Sequence, residues 1–280
     1  MHELDQKQLH RACERAASGF NEADFICTTT RERLFERLDL FTLQPQRILD
    51  LGCGTGTAAT ELSRRYPDAQ VVSLDWSENM LREAHSHTRM TVCADSHRIP
   101  LAHESVDIVV SNMMLPGCAD PEAIFKEARR VLRNPGVFLF STLGPDTLKE
   151  VRRAWAQVDQ LPHVHIFPDM HNVGDALAHA GFREPVMDVE MLTINYSALD
   201  ILINDLRAVA ATNVAAGRRQ GLTTPRRWQQ MTAALAAKEN SLGKLPVSLE
   251  IVTGQAWAAA ADRGVRMEDG VASFPISRIK

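Results

Sequence analysis

Across residues 1–45 apolar side chains recur at helical spacing, and in RERLFERLDLF the side chains of Leu34, Phe35, Leu38 and Phe41 share one face. Pro45 stops that pattern. Short apolar runs then alternate with amphipathic stretches. RILDL (47–51), VVSLD (71–75), MTVCAD (90–95), VDIVVSN (106–112) and VFLFST (137–142) read as strands, the fourth rich enough in Val and Ile to be buried on both faces. Between them TAATELSRRY (57–66), SENMLREAHS (77–86) and PEAIFKEARRVL (121–132) read as helices. Ser77 is placed to cap the second, and Pro121 opens the third. Asn134-Pro135-Gly136 reads as a turn. Such alternation needs crossover connections, so it predicts a parallel sheet with helices on both faces.

Past residue 143 the rhythm changes. MHNVGDALAHAGF (170–182) predicts a helix, and VMDVEMLTINY (186–196) alternates as a half-exposed antiparallel strand does. Residues 197–246 read as a mostly helical insertion, VSLEIVTGQAWA (247–258) as a last strand, and 259–280 as a loosely structured tail. The expected organisation is an N-terminal helical lid segment (1–45), an α/β core (46–196), a helical lid insertion (197–246), and the last strand with the tail (247–280).

Composition narrows the classes. A chain of 280 residues, 45 % hydrophobic and 24 % charged, suits one large domain or one domain with a lid. The net charge of −4 argues against a sequence-independent nucleic-acid binder, so DNA is not expected as a partner. Five cysteines without a C-x-x-C pair read as free thiols in a reducing compartment, and the expected location is cytoplasmic. No apolar run approaches the roughly 18 residues of a membrane span, and MHELDQKQLH lacks the apolar core of a secretory signal.

The chemistry concentrates where strands end. Leu49-Asp50-Leu51-Gly52-Cys53-Gly54-Thr55-Gly56 is a strand running into G-x-G-x-G and then a helix. Glycines there allow a tight turn and close ligand approach, and the helix start offers unpaired N–H groups. Asp75 closes the second strand 19 residues after Gly56 (75 − 56), where nucleotide-binding α/β folds place a carboxylate that accepts from ribose hydroxyls. Asp95 closes the third strand and can accept from an adenine amine.

LDLGCGTG, VVSLDWSENML and CADSHRIPLAHESVDIVVSN together resemble the class I S-adenosylmethionine-dependent methyltransferases over about 46–142. The resemblance implies a Rossmann-like fold with a mostly parallel seven-stranded sheet, and S-adenosylmethionine as cofactor with S-adenosylhomocysteine as product. It implies that Gly52, Gly54 and Gly56, with Cys53 between them, cradle the methionine portion, and that Asp50 reaches its amino group. Asp75 would hold the ribose, Trp76 would flank the adenine, Asp95 and Ser96 would meet the adenine edge, and Asn112 would lie near the sulfonium. A dehydrogenase reading fits less well, since the loop is G-x-G-x-G rather than G-x-G-x-x-G.

FSTLGPDTLKEVRRAW (140–155), HVHIFPDMHNVGDALAHAGFREPVMDVEMLTINY (163–196), DLRAVAATN (205–213) and RAASGFNEADF resemble the malonyl-acyl-carrier-protein O-methyltransferases of early biotin synthesis. This implies methylation of the free carboxylate of a malonyl thioester on an acidic acyl carrier protein, or on malonyl-CoA. Such a carboxylate is already ionised at neutral pH, so the site must align and desolvate rather than deprotonate. Arg207 is the first candidate to clamp it and Arg152 the second; Asn112 and Arg207 are the expected catalytic side chains. GRRQGLTTPRRW (217–228) carries four Arg and no acid, which suits a carrier protein, a solvated helix face or, less well, RNA. Two positions depart from the family pattern, Phe20 where Tyr is usual and Leu115-Pro116-Gly117-Cys118 where a Gln-Trp pair is usual. Both touch the acceptor side. They keep open a small-molecule (quinone-type) acceptor and a diverged assembly factor as alternatives. His163, His165 and His171 have no completing Cys or carboxylate spacing, so no metal is expected.

Overall fold

In the computed structural model, residues 4–237, 239–258, 266–268 and 271–273 are described. Lys238 and nearly all of the expected loose tail, 259–280, lie outside the described residues. Three helices open the chain, α1 (Gln6–Ala16), α2 (Phe20–Ala23) and α3 (Phe25–Leu38). There follow β1 (Arg47–Leu51), α4 (Thr57–Arg65), β2 (Gln70–Asp75), α5 (Glu78–Ala84), β3 (Thr91–Cys93), β4 (Val106–Asn112), α6 (Pro121–Val131) and β5 (Leu132–Leu143). The second half holds α7 (Lys149–Ala156), α8 (Met170–His179), β6 (Arg183–Tyr196), α9 (Leu199–Ala208), α10 (Pro225–Ala236) and β7 (Leu245–Trp257), and a strand pair, β8 (Arg266–Glu268) and β9 (Val271–Ser273), comes last.

The main sheet has seven strands in the order β3-β2-β1-β4-β5-β7-β6. The first five are parallel, and β7 runs antiparallel to both neighbours. The chain winds outward from β1 through β2 to β3, then returns to place β4 on the other side of β1. This reversal opens a crevice at the carboxyl ends of β1 and β4, the usual ligand position in such sheets.

Strand alternation sorts the core into two layers. Leu49, Leu51, Val109, Phe138 and Phe140 face α6 and α8, where Phe125 stacks against Phe138 and Phe140 at 5.8 and 5.6 Å. Ile48, Val71, Ile108, Val110, Val137 and Leu139 face the opposite way and are covered by α4 and by Leu34, Phe35 and Leu38 of α3. The 1–45 segment therefore has two parts. Its α3 half is sheet core, and its α1–α2 half covers the crevice. A third cluster joins Trp155 of α7 to Leu202 of α9, to Met231 and Leu235 of α10, and to Tyr196 and Val247 at the sheet edge.

Several elements differ from the sequence expectation. The insertion 197–246 is helical only in α9 and α10. The stretch 209–224 is irregular, because it meets other chain segments instead of itself: the Asp5 N–H donates to Val214 O, Leu4 bridges Ala215, and Val214 N–H donates to His165. The Asn134-Pro135-Gly136 turn is absorbed into β5 as a register shift between the Val106–Leu132 and Ile108–Val137 pairs. The third strand ends at Cys93, which leaves Asp95 two residues beyond it. β6 is the sheet edge, with Val186, Val189 and Met191 exposed. Among the described residues no helix is long and apolar enough to cross a membrane.

Phe125 is fully buried against two aromatic neighbours, so Phe125→Ala should lower unfolding free energy by about 3–5 kcal/mol, read as a shift of the urea midpoint at unchanged slope.

Candidate active site

A cavity of about 620 Å³ occupies the crevice. One end is walled by the glycine loop and the ends of β2 and β4, the other by α7, α9 and the ends of β6 and β7, and α1–α2 close the top.

The loop after β1 depends on its glycines. Gly52 has φ +72°, and a Cβ there would stand 2.2 Å from Met114 Cγ. Gly56 has φ +77° and lies so close to α5 that a Cβ would meet Ala84 Cβ at 2.8 Å. At Gly54 a Cβ would meet nothing within 4 Å. The loop is fixed by Asp75, whose Oδ2 accepts from the Gly54 N–H and whose Oδ1 accepts from the Ser77 N–H, both at 2.9 Å. Burial raises the Asp75 carboxyl above its ordinary value, against these backbone donors.

Of the residues expected around the cofactor, Gly52, Gly54, Asp75, Trp76, Asp95, Ser96 and Asn112 line the cavity. Trp76 stands edge-on to His10 at 5.2 Å. Asp95 is exposed, and its Oδ1 accepts from the His97 N–H at 2.9 Å and meets His97 Nδ1 at 2.7 Å. Gly56, Cys53 and Asp50 do not line the cavity. Gly56 packs on α5. The Cys53 thiol is buried, which raises it well above the ordinary thiol range, and it points at Gly54 O. Asp50 is 1 % exposed, and its Oδ2 has no hydrogen-bond partner. Burial, and then the charge of Asp75, push its carboxyl up to about 7, with Arg31 opposing.

Asn112 is committed to the fold. Its Oδ1 accepts from Thr30 Oγ1 (2.7 Å) and Ser141 Oγ (2.8 Å), and its Nδ2 donates to Cys27 O (2.8 Å). It ties α3 to β4 and β5, so it positions the lid over the cavity. It also lines the cavity, where it was expected to lie near the sulfonium. Arg152 is likewise occupied, with Nη1 donating to Pro145 O and Nη2 to Thr147 O, both 2.9 Å. Arg207, in the last turn of α9, lines the cavity, and no hydrogen bond or ion pair engages its guanidinium among the described residues.

The two departures also fall on the wall. Phe20 lines the cavity and packs beside Ala12, Ala16, Met80 and Ala210. Leu115–Gly117 forms a single 3-10 turn, and Leu9 of α1 sits directly on it, since a Cβ at Gly117 would meet Leu9 Cδ2 at 2.9 Å. Four further ties that spacing alone does not reveal close the top: Thr55 Oγ1 to Asn21 Oδ1, Arg31 to Thr57, Asn79 to Glu14 O, and Arg218 to Asp5. The basic stretch 217–228 is thus partly neutralised from outside, because Arg218 pairs with Asp5 at 3.0 Å and Arg227 approaches Asp159 at 3.8 Å. The three histidines disperse: His163 meets Asp159, His165 accepts from Val214 N–H, and His171 is exposed. Among the described residues no group of three or more His, Cys, Asp or Glu is arranged for a metal ion.

Comparison with known proteins places this architecture. Residues 49–140 match the Methyltransferase domain model. The chain is 41 % identical over 268 residues to the malonyl-[acyl-carrier protein] O-methyltransferase of Gallionella capsiferriformans, covering 92 % of each chain. It is 42 % identical over 279 residues to that of Methylovorus sp., covering 96 % of this chain and 93 % of the other. The chain belongs to this methyltransferase family. Solved structures share the fold at lower identity. The YcgJ protein of Bacillus subtilis superposes with a TM-score of 0.58 at 15 % identity, covering 81 % of this chain and 98 % of that one. Phosphoethanolamine N-methyltransferase 2 of Haemonchus contortus, solved with S-adenosylhomocysteine, superposes at 0.51 and 19 % identity, over 82 % of this chain and 53 % of that one.

The methyltransferase's cavity wall suits S-adenosylmethionine. Each Asp75 oxygen has one backbone donor and keeps a lone pair for a ribose hydroxyl. Gly54 leaves open space beside the loop, and Asp50 behind it, off the cavity wall, keeps a buried oxygen with no hydrogen-bond partner among the described residues.

The Asp50 shift has a sign that can be tested on the ligand-free protein. The carboxyl titrates near 7 when folded against an ordinary 3.8, so its stability contribution is complete below the unfolded value and is lost as pH rises to 7. The stability advantage of Asp50→Asn over the parent should therefore widen from pH 4 to 7 and stay level above. A gap independent of pH in denaturant titrations would contradict the assignment.

Proposed function

We propose that this protein transfers the methyl group of S-adenosylmethionine to the free carboxylate of a malonyl thioester carried on an acyl carrier protein, as its relatives are named for doing. The observation that carries the reading is Arg207: among the described residues it is the one Arg or Lys of the cavity wall, and no hydrogen bond or ion pair to a described residue engages its guanidinium. A guanidinium in that state suits a planar carboxylate, which it meets through two parallel hydrogen bonds.

The chain's residues supply alignment and a dry setting. When bound, S-adenosylmethionine supplies an electrophilic methyl group on a positively charged sulfur. Asp75 and the glycine loop hold the cofactor end of the cavity, with Asp95, Ser96 and Trp76 around the base. Arg207 fixes the acceptor carboxylate at the other end. Phe20, Ile26, Leu148, Val151, Leu206 and Leu249 form the wall between them and exclude water. Opposite charges disappear as the ester forms, so an apolar wall favours the transfer, and no general base is needed for a group whose ordinary pKa is about 4. The thioester and its arm leave the cavity toward the insertion, where Arg226 is exposed beside Leu222 and Trp228, an arrangement suited to an acidic carrier protein. The five free cysteines fit a cytoplasmic setting.

Incubation with methyl-labelled cofactor and malonyl carrier protein is expected to put one label on the carrier as a base-labile ester. An unlabelled carrier beside a labelled small molecule would overturn the reading. Arg207→Ala should lower kcat/KM by about 10- to 150-fold, the equivalent of roughly 1.5–3 kcal/mol for hydrogen bonds to a charged group, and Arg207→Lys should recover only part of it.

A further inference from the structure

Most polar groups in the acceptor half of the cavity are already engaged by the fold. Tyr196 is hydrogen-bonded to Asp205. Asn213 Nδ2 donates to Pro162 O and its Oδ1 accepts from the Ala215 N–H. His165 accepts from the Val214 N–H. Besides Arg207, the side chain with a nitrogen left over is His163. Its Nε2 meets Asp159 Oδ1 at 2.9 Å, and its Nδ1 has no partner among the described residues. The ring is fixed in orientation. It lies flat on Trp155 with centroids 3.7 Å apart and planes 2° apart, and both His163 and Asp159 are nearly buried. Asp159 is itself steadied by Arg227 of α10 at 3.8 Å.

Resting on the proposed function, we infer that His163 is a second acceptor-binding residue, whose Nδ1 donates to the malonyl carboxylate alongside Arg207. The ring has one nitrogen committed to Asp159 and the other left for the acceptor, so it stands between two carboxylates. Methyl transfer needs no proton from it, so its part is to hold the acceptor. The consequence is selectivity for charge. The acceptor is an anion and takes charge-assisted hydrogen bonds from Arg207 and the His163 ring, whereas the methyl ester product is neutral and is the weaker acceptor for both. His163 thus strengthens substrate binding more than product binding.

His163→Phe keeps a flat ring against Trp155 and removes both nitrogens, and His163→Gln restores a side-chain donor. The full-length parent and both variants are assayed with S-adenosylmethionine and malonyl acyl carrier protein, and inhibition by the methyl ester carrier protein is measured in parallel. The expected result for His163→Phe is a KM for malonyl carrier protein raised about tenfold, the equivalent of one charged hydrogen bond, with kcat changed less and product inhibition within about twofold of the parent. His163→Gln should regain part of the loss. An unchanged KM in His163→Phe overturns the inference. So does an equal rise in KM and in the product inhibition constant, which is the mark of a misshapen wall rather than a lost charge-assisted hydrogen bond. A parent that methylates no malonyl carrier protein overturns the proposed function itself, an outcome distinct from both.

Discussion

The site depends on the buried carboxylate of Asp75. One oxygen holds the Gly54 N–H and the other holds the Ser77 N–H, so a single side chain fixes the loop after β1 and the start of α5 at once. A carboxylate this buried is costly unless its oxygens are met by donors, and the glycine loop supplies one only because its backbone follows positive φ angles. Loop shape and carboxylate are therefore mutually dependent. Substituting either leaves the other with an unmet group in a low-dielectric setting.

Asn112 has the corresponding part on the acceptor side. With both its oxygen and its amide committed, it joins the end of β4 to Ser141 of β5 and to the third helix of the N-terminal segment. The lid is thereby anchored to the same strand ends that hold the cofactor loop. Asn21–Thr55 and Arg31–Thr57 add ties directly to the loop. The cover of the cavity and its floor are one hydrogen-bonded unit, which is what a reaction that neutralises opposite charges requires.

Arg207 stands apart from this network, with no hydrogen bond or ion pair on its guanidinium among the described residues. Arg152 and Arg218 resemble Arg207 in sequence terms, yet their guanidinium groups hold carbonyls and an aspartate in the fold. The Phe20 wall and the Leu115–Gly117 turn support α1 and the apolar cover.

The sequence by itself determined the parallel strand set, the glycine loop and Asp75 at the end of β2. Those features rest on local periodicity and on spacing along the chain, as with Asp75 19 residues beyond Gly56. It also carried the family resemblance. Tertiary structure alone decided which polar side chains were free. Asn112, expected near the sulfonium, lines the cavity and is also a tie, because Thr30 and Cys27 arrive from a helix some 80 residues earlier. The irregular path of 209–224 was not legible either, because its partners, Leu4, Asp5 and His165, are remote in sequence. The pairing of His163 with Asp159 is local in sequence, but its place in the cavity wall depends on Trp155 beneath it and on Arg227 behind it. Spacing states which groups a segment can offer. Only the packed chain states which of them its own neighbours have already taken.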